Sequence, residues 1–256
     1  MTILCYHSVQ PDWDSPLAVE PEAFAQQAAW LGRNRQVLAL RDALPMLDAR
    51  GRLPRGTAAL TFDDGFAALH EYVLPVLQRE RLPATVFLVA QTLTPAGQVV
   101  DWVRTPGSEP LTTLTLDQVL EMQDAGVDFQ SHSWAHRDLV GLSFEECVRD
   151  LRNSREFLSD VLDRQVTLLC YPRGLHDANV RKAAEVAGYT HAFALPETPE
   201  QPGDYAVPRV GIYRRNGLLA VRVKAARPYL GLRTSEPVAR NARRVKRAVR
   251  GVRTLI

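Results

Sequence analysis

With 256 residues, 46% of them hydrophobic, the chain is long enough for one large globular domain or a single β/α barrel with a full core. It contains no run of about eighteen apolar residues, which excludes a membrane-spanning helix. The formal net charge of +2 hides an asymmetry: residues 237–256 hold seven basic residues and no acid, which leaves residues 1–236 at −5 by difference.

In chain order, the apolar runs predict strands at Ile3–His7, Ala58–Phe62, Ala84–Val89, Val127–Ser131, Thr167–Cys170, His191–Ala194 and Ala206–Val210. Amphipathic spacing predicts helices at Pro21–Arg33, Leu40–Asp48, Phe66–Arg79, Thr115–Ala125, Ser143–Leu162 and Asp177–Ala187. Ser143 with Glu146 reads as a capping box, and Gly188 as a stop after Ala187. Strands separated by helices of ten or more residues imply a parallel sheet, and about seven strands suggest an irregular barrel rather than an open sheet. Thr92–Leu114 is a long loop rich in Thr, Pro and Gly, in which Trp102 could offer an aromatic face to a site. The start, Met1 to His7, enters a strand without a basic start, a long apolar segment or a cleavage site, so no secretory leader is expected. The three cysteines, Cys5, Cys147 and Cys170, are widely spaced, which suggests reduced thiols and a cytoplasmic setting.

Two motifs carry chemistry. Asp63-Asp64-Gly65 closes the apolar run Ala58–Phe62. Acids at the end of a buried strand are costly unless partnered. His132 and His136, spaced i, i+4, follow another short strand. Both motifs sit at the C-terminal ends of strands, where sites of repeating β/α folds are built. One Asp and two His make a three-ligand metal set with open positions, and the second Asp is left to handle protons.

Four segments and the N-terminus resemble the polysaccharide deacetylases, carbohydrate esterases with a chitooligosaccharide-deacetylase-like domain that remove N-acetyl groups from amino sugars. They are Leu60–Gly65, Ser131–Leu139, Tyr171–Asp177, Ala187–Tyr189 and Cys5–Val9. The resemblance implies a distorted seven-stranded (β/α) barrel over residues 1–213; the charge pattern reads residues 214–256 as a basic extension. It implies Asp63 as catalytic base, and Asp64, His132 and His136 as ligands of one divalent metal. Zinc is the default, while iron, cobalt or nickel would accept the same donors. It makes Ser133 the supporting hydroxyl of the histidine motif and the backbone N–H of Arg173 the oxyanion donor.

The chain departs from the family in two places. Cys170 stands where many members carry an Arg that braces the base, and no His follows Val210 to act as general acid. Members with a similar N-terminus point to His7 as the acid, against a His merely bonded at a strand end. Arg209 is either the replacement brace or a surface salt bridge. Tyr171 and His176 are further candidates near the pocket.

The expected substrate is an amino-sugar glycan or its lipid-linked precursor. A related deformylase or small-amide hydrolase, and a glycan-binding protein without activity, remain open. A two-metal phosphoesterase is disfavoured because the ligands suffice for one metal. Val238, Ala242, Val245, Val249, Val252 and Ile256 would form one apolar stripe on a basic helix from about 237. That pattern reads as an anchor to an anionic membrane surface, on its cytoplasmic face. Nucleic acid is not expected, because the tail has no aromatic residues to stack on bases.

Overall fold

The computed structural model describes residues 2–49, 51–103, 111–196 and 200–233. The predicted helix from about 237 lies outside these residues. The strands are β1 (Ile3–Tyr6), β2 (Ser8–Val9), β3 (Ala18–Val19), β4 (Gln36–Val37), β5 (Thr57–Phe62), β6 (Thr85–Leu88), β7 (Asp128–Ser131), β8 (Leu168–Cys170), β9 (His191–Ala194) and β10 (Val207–Gly211). The helices are α1 (Pro21–Asn34), α2 (Leu40–Ala43), α3 (Leu74–Glu80), α4 (Leu116–Asp124), α5 (Phe144–Leu162), α6 (Ala178–Val186), α7 (Leu218–Lys224) and α8 (Arg227–Arg233).

The seven predicted strands close a parallel barrel in the order β1-β5-β6-β7-β8-β9-β10, because β1 pairs with both β5 and β10. The distorted (β/α) barrel expected from the sequence is therefore the fold. β4 extends β5 outside the ring, and β2 pairs only with β3. These three strands have two residues each, too few to show a period of two.

Alternation along the strands sorts side chains between two cores. Leu4, Tyr6, Ala58, Leu60 and Phe62 pack outward against the helices. Ile3, Ala59, Phe87, Leu168, Cys170, Phe193 and Val207 pack inward across the barrel. The period of two continues each inward row to the C-terminal rim. Ile3 and Cys5 lead to His7, and Ala59 and Thr61 lead to Asp63. The pairing of Cys5 with Thr61 sets those two row ends side by side.

Two helices differ from expectation, both at a proline. The segment Leu40–Asp48 is α-helical only to Ala43 and tightens into a 3-10 turn at Leu44–Met46, which contains Pro45. The segment Phe66–Arg79 begins as a π-helical turn, Leu69–Val73, before α3 with Pro75 in its first turn. Proline has no N–H to donate, so the regular i→i−4 ladder is interrupted there. The capping box at Ser143 and Glu146 forms as read, and Gly188 has φ +94°. The sequence reading missed a second box, Thr115 with Gln118, and the helices α7 and α8.

Candidate metal centre and acid site

Asp63, Asp64, His132 and His136 converge at the C-terminal rim and are 1%, 2%, 2% and 6% exposed. With His7, Trp102 and Arg173 they border an open cavity of about 270 Å³. Among the described residues, six non-glycine residues have positive φ, and four of them lie here: Asp64, Ser133, His136 and Arg173. Such conformations cost free energy and persist where the surroundings impose them, often at functional sites. Gly65 has φ +65°, and a Cβ on it would come 2.6 Å from Leu88 Cδ2. The Asp-Asp-Gly turn therefore needs its glycine for two separate reasons.

The two acids have opposite environments. Arg209 reaches Asp63 from β10 with two hydrogen bonds, Nη1 to Oδ1 and Nη2 to Oδ2, each 2.7 Å. Arg209 is itself buried, and its guanidinium lies 5.4 Å from the ring centre of Phe87 and 6.0 Å from that of Phe193. The geometry is that of a brace on Asp63, and the surface salt bridge is excluded. Burial alone would raise the Asp63 carboxyl, but the charge and hydrogen bonds of Arg209 outweigh it and hold the group far below the ordinary carboxylate range. Asp64 has no such partner. Burial first, and then the charge of Asp63, push it up to about 8, against the Trp102 indole N–H that donates to its Oδ1 at 3.1 Å. Arg209 thus holds Asp63 ionised, while Asp64 in the metal-free protein keeps a proton below about 8.

The imidazoles face Asp64 Oδ1, with His132 Nε2 at 3.5 Å and His136 Nε2 at 3.3 Å. Burial lowers both histidines, His136 to about 2, so they stand neutral. His132 Nδ1 donates to the Cys170 carbonyl at 2.8 Å, which leaves the Nε2 lone pair for the site. The Ser133 hydroxyl accepts from the His136 N–H at 3.1 Å, and the His136 ring stacks on Trp102 with centres 5.0 Å apart. One ligand atom each from Asp64, His132 and His136 lie within 4.8 Å of one another. Two neutral imidazoles with an oriented lone pair beside a carboxyl are donors suited to a divalent cation.

This arrangement predicts a pH dependence for metal binding. The ordinary carboxylate value is raised in Asp64, so the metal-free protein carries a proton there below about 8. Zinc binding at pH 7 should therefore release about one proton, and affinity should fall about tenfold per pH unit below 8 and level off above it. Calorimetry in buffers of different ionisation enthalpy measures the proton count, and an absence of release would overturn the assignment of Asp64. Trp102→Phe keeps the stack and removes the N–H bond. It should weaken metal binding about 10–100-fold, as loss of partners to ligating groups does, read by competition with a chromogenic chelator.

His7 stands on the other side of Asp63, with Nε2 4.0 Å from Oδ2. Burial lowers it to about 4, against the pull of the Asp63 charge. Arg173 lies in the turn Pro172–Gly174 with φ +56°, and its guanidinium pairs with Asp138 at 2.6 Å. Two candidates sit elsewhere. The Tyr171 hydroxyl donates to the Tyr205 carbonyl at 3.0 Å from within the core, so it is turned away from the cavity. His176 stacks on Tyr171 and bonds Glu200 at 2.8 Å in the adjoining cavity.

The thiols of Cys5 and Cys170, the latter at the position where many members carry the bracing Arg, were not expected to bond the base. Both donate to Asp63 Oδ2, at 3.3 and 3.4 Å, and burial pushes both well above the ordinary thiol range. The signal was present in Ile3-Cys5-His7, since alternate residues share a face.

A family model for polysaccharide deacetylases matches residues 50–192. The poly-beta-1,6-N-acetyl-D-glucosamine N-deacetylase of Staphylococcus epidermidis is 25% identical over 208 residues, which cover 75% of this chain and 67% of that protein. The Streptococcus pyogenes deacetylase PplD, solved in complex with acetate, superposes with a TM-score of 0.75 at 22% identity, covering 88% of this chain and 98% of PplD. IcaB from Ammonifex degensii gives a TM-score of 0.66 at 22% identity over 82% and 91% of the two chains.

Proposed function

The chain belongs to the polysaccharide deacetylase family, and on that premise we propose that it is a metal-dependent hydrolase removing N-acetyl groups from an amino-sugar glycan or its lipid-linked precursor. The observation that carries the reading is Asp63, braced by Arg209, beside the converging donors of Asp64, His132 and His136. A binding protein has no use for an ionised, braced carboxylate next to a complete ligand set.

Asp64, His132 and His136 would hold the cation. When bound, a divalent cation, zinc by default, polarises the acyl carbonyl and acidifies water from about 15.7 toward 7. That supply matters, because a carboxylate paired as tightly as Asp63 is a weak base. Asp63 then takes the proton of the attacking water. His7 is neutral at rest, so the proton it delivers to the leaving nitrogen is the one the water has surrendered through Asp63. The left-handed turn at Arg173 supports a backbone N–H role at the developing oxyanion. The balance is that of amide hydrolysis: the C–N bond breaks, and acetate and a free amine form.

The partner surface we propose is an anionic membrane, reached through the basic residues 237–256. The test of function is acetate release from N-acetylglucosamine oligomers and from N-acetylhexosaminyl polyprenyl phosphates. The metal-loaded protein should release acetate, and chelation should stop it. The better substrate decides polymer against glycolipid. No release from either, at full metal occupancy, would overturn the reading in favour of another acyl group or of sugar binding alone.

A further inference from the structure

α7 lies along the C-terminal half of α1. Gln27 Nε2 in α1 donates to the Asn216 carbonyl at 2.7 Å, just before α7. The Arg222 guanidinium lies 5.7 Å from the centre of the Trp30 ring, and Arg35 lies 4.7 Å from the same ring. On α7, Leu219 and Val223 are spaced i, i+4 and so share a face, and they are 74% and 54% exposed. Two large aliphatic side chains are thus presented to solvent beside a seam of arginines.

The sequence around this face carries an excess of positive charge. Residues 205–235 hold no acid and seven basic residues. Arg209 is buried on Asp63 and Arg214 pairs with Glu20, which leaves Arg215, Arg222, Lys224, Arg227 and Arg233. Residues 23–41, which include this half of α1, also lack an acid. Arg33, Arg215 and Arg222 are exposed. The nearest acid on the neighbouring α3, Glu80, is paired with Arg79. Residues 237–256 have apolar side chains that could cover the face, but their seven cations would meet its own cations. A second copy docked face to face meets the same repulsion. An anionic lipid surface satisfies both features, taking the aliphatic tips into its boundary layer and the arginines against its headgroups.

We propose that the Leu219–Val223 face of α7, with Arg215, Arg222 and the end of α1, docks the folded barrel on an anionic membrane. This goes beyond the tail as a tether, because stable peripheral binding takes two signals and a face on the barrel also orients the site.

The experiment is co-sedimentation of the full chain with phosphatidylcholine vesicles, with and without phosphatidylglycerol. The protein should partition onto phosphatidylglycerol vesicles and not onto phosphatidylcholine alone. Leu219→Glu/Val223→Glu should lower that partitioning at least about tenfold. Both positions are exposed, so the melting temperature and acetate release from a soluble oligomer should stay as in wild type. Deletion of 237–256 should leave residual binding that the double variant abolishes. Wild-type partitioning by the double variant would overturn the proposal, as would binding indifferent to phosphatidylglycerol. Complete loss on tail deletion alone would assign the contact to the tail. A dimer that becomes monomeric in the double variant would assign the face to a second copy. Acetate release is read separately, so the deacetylase reading stands or falls independently.

Discussion

Asp63→Asn should lower kcat/KM for acetate release by about 10²–10⁴-fold, the range of a positioned proton acceptor, while leaving the metal bound. The amide is isosteric and can still accept from Arg209, but it cannot take a proton from water. Asp64, His132 and His136 keep their mutual geometry, because the His132 ring is oriented by the Cys170 carbonyl and the His136 backbone by Ser133, not by Asp63. The variant should also bind metal at lower pH than wild type. Part of the raised value of Asp64 comes from the Asp63 charge, and removing that charge lets Asp64 ionise earlier. Metal content by elemental analysis, measured beside kcat/KM, separates loss of chemistry from loss of the cation. Retained acetate release in Asp63→Asn would move the proton acceptor to another group, with His7 next in reach.

Arg209→Met should cost about 3–5 kcal/mol of stability, because it leaves the Asp63 carboxylate buried without its partner. Arg209 is 2% exposed and its side chain is enclosed, so solvent screening does not soften the loss. The sign of the pH effect follows from Asp63. Its folded value is depressed, so its contribution is fully present above its unfolded value near 3.8 and is lost as the pH falls through the folded value. In Arg209→Met the depression disappears, so this variant should lose less stability than wild type between pH 4 and the lowest pH it survives. The double variant Arg209→Met/Asp63→Asn should recover part of the single-variant loss, since neither charge is then stranded. Additive losses in urea titrations of the four proteins would show that Arg209 acts through its packing on Phe87 and Phe193 and not through Asp63.

Much of this molecule was legible from local rules. Each barrel strand announces itself as a short buried run, because both faces of a parallel sheet are covered. The acids of Asp63-Asp64-Gly65 and the histidines of His132–His136 stand out as costly residues at strand ends. Even the placement of Cys5 and His7 beside Asp63 was partly written in the alternation Ile3-Cys5-His7. Neither α7 nor α8 was anticipated: at seven residues each, they are too short for helical spacing to stand out from coil.

The brace on Asp63 is different in kind. Arg209 is 146 residues away, and the same tripeptide Pro208-Arg209-Val210 could equally have faced solvent. Its direction depends on β1 pairing with both β5 and β10, which closes the barrel and sends the inward row of β10 toward Asp63. Trp102 is likewise assigned by tertiary structure, since nothing in its loop announces a hydrogen bond to Asp64. The sequence by itself determined which residue types bear the chemistry and which strand ends carry them, because side-chain period and burial cost act over a few residues. Only the closed barrel decided which acid Arg209 braces and which faces the two histidines, because that depends on groups brought within a few ångströms by distant strands.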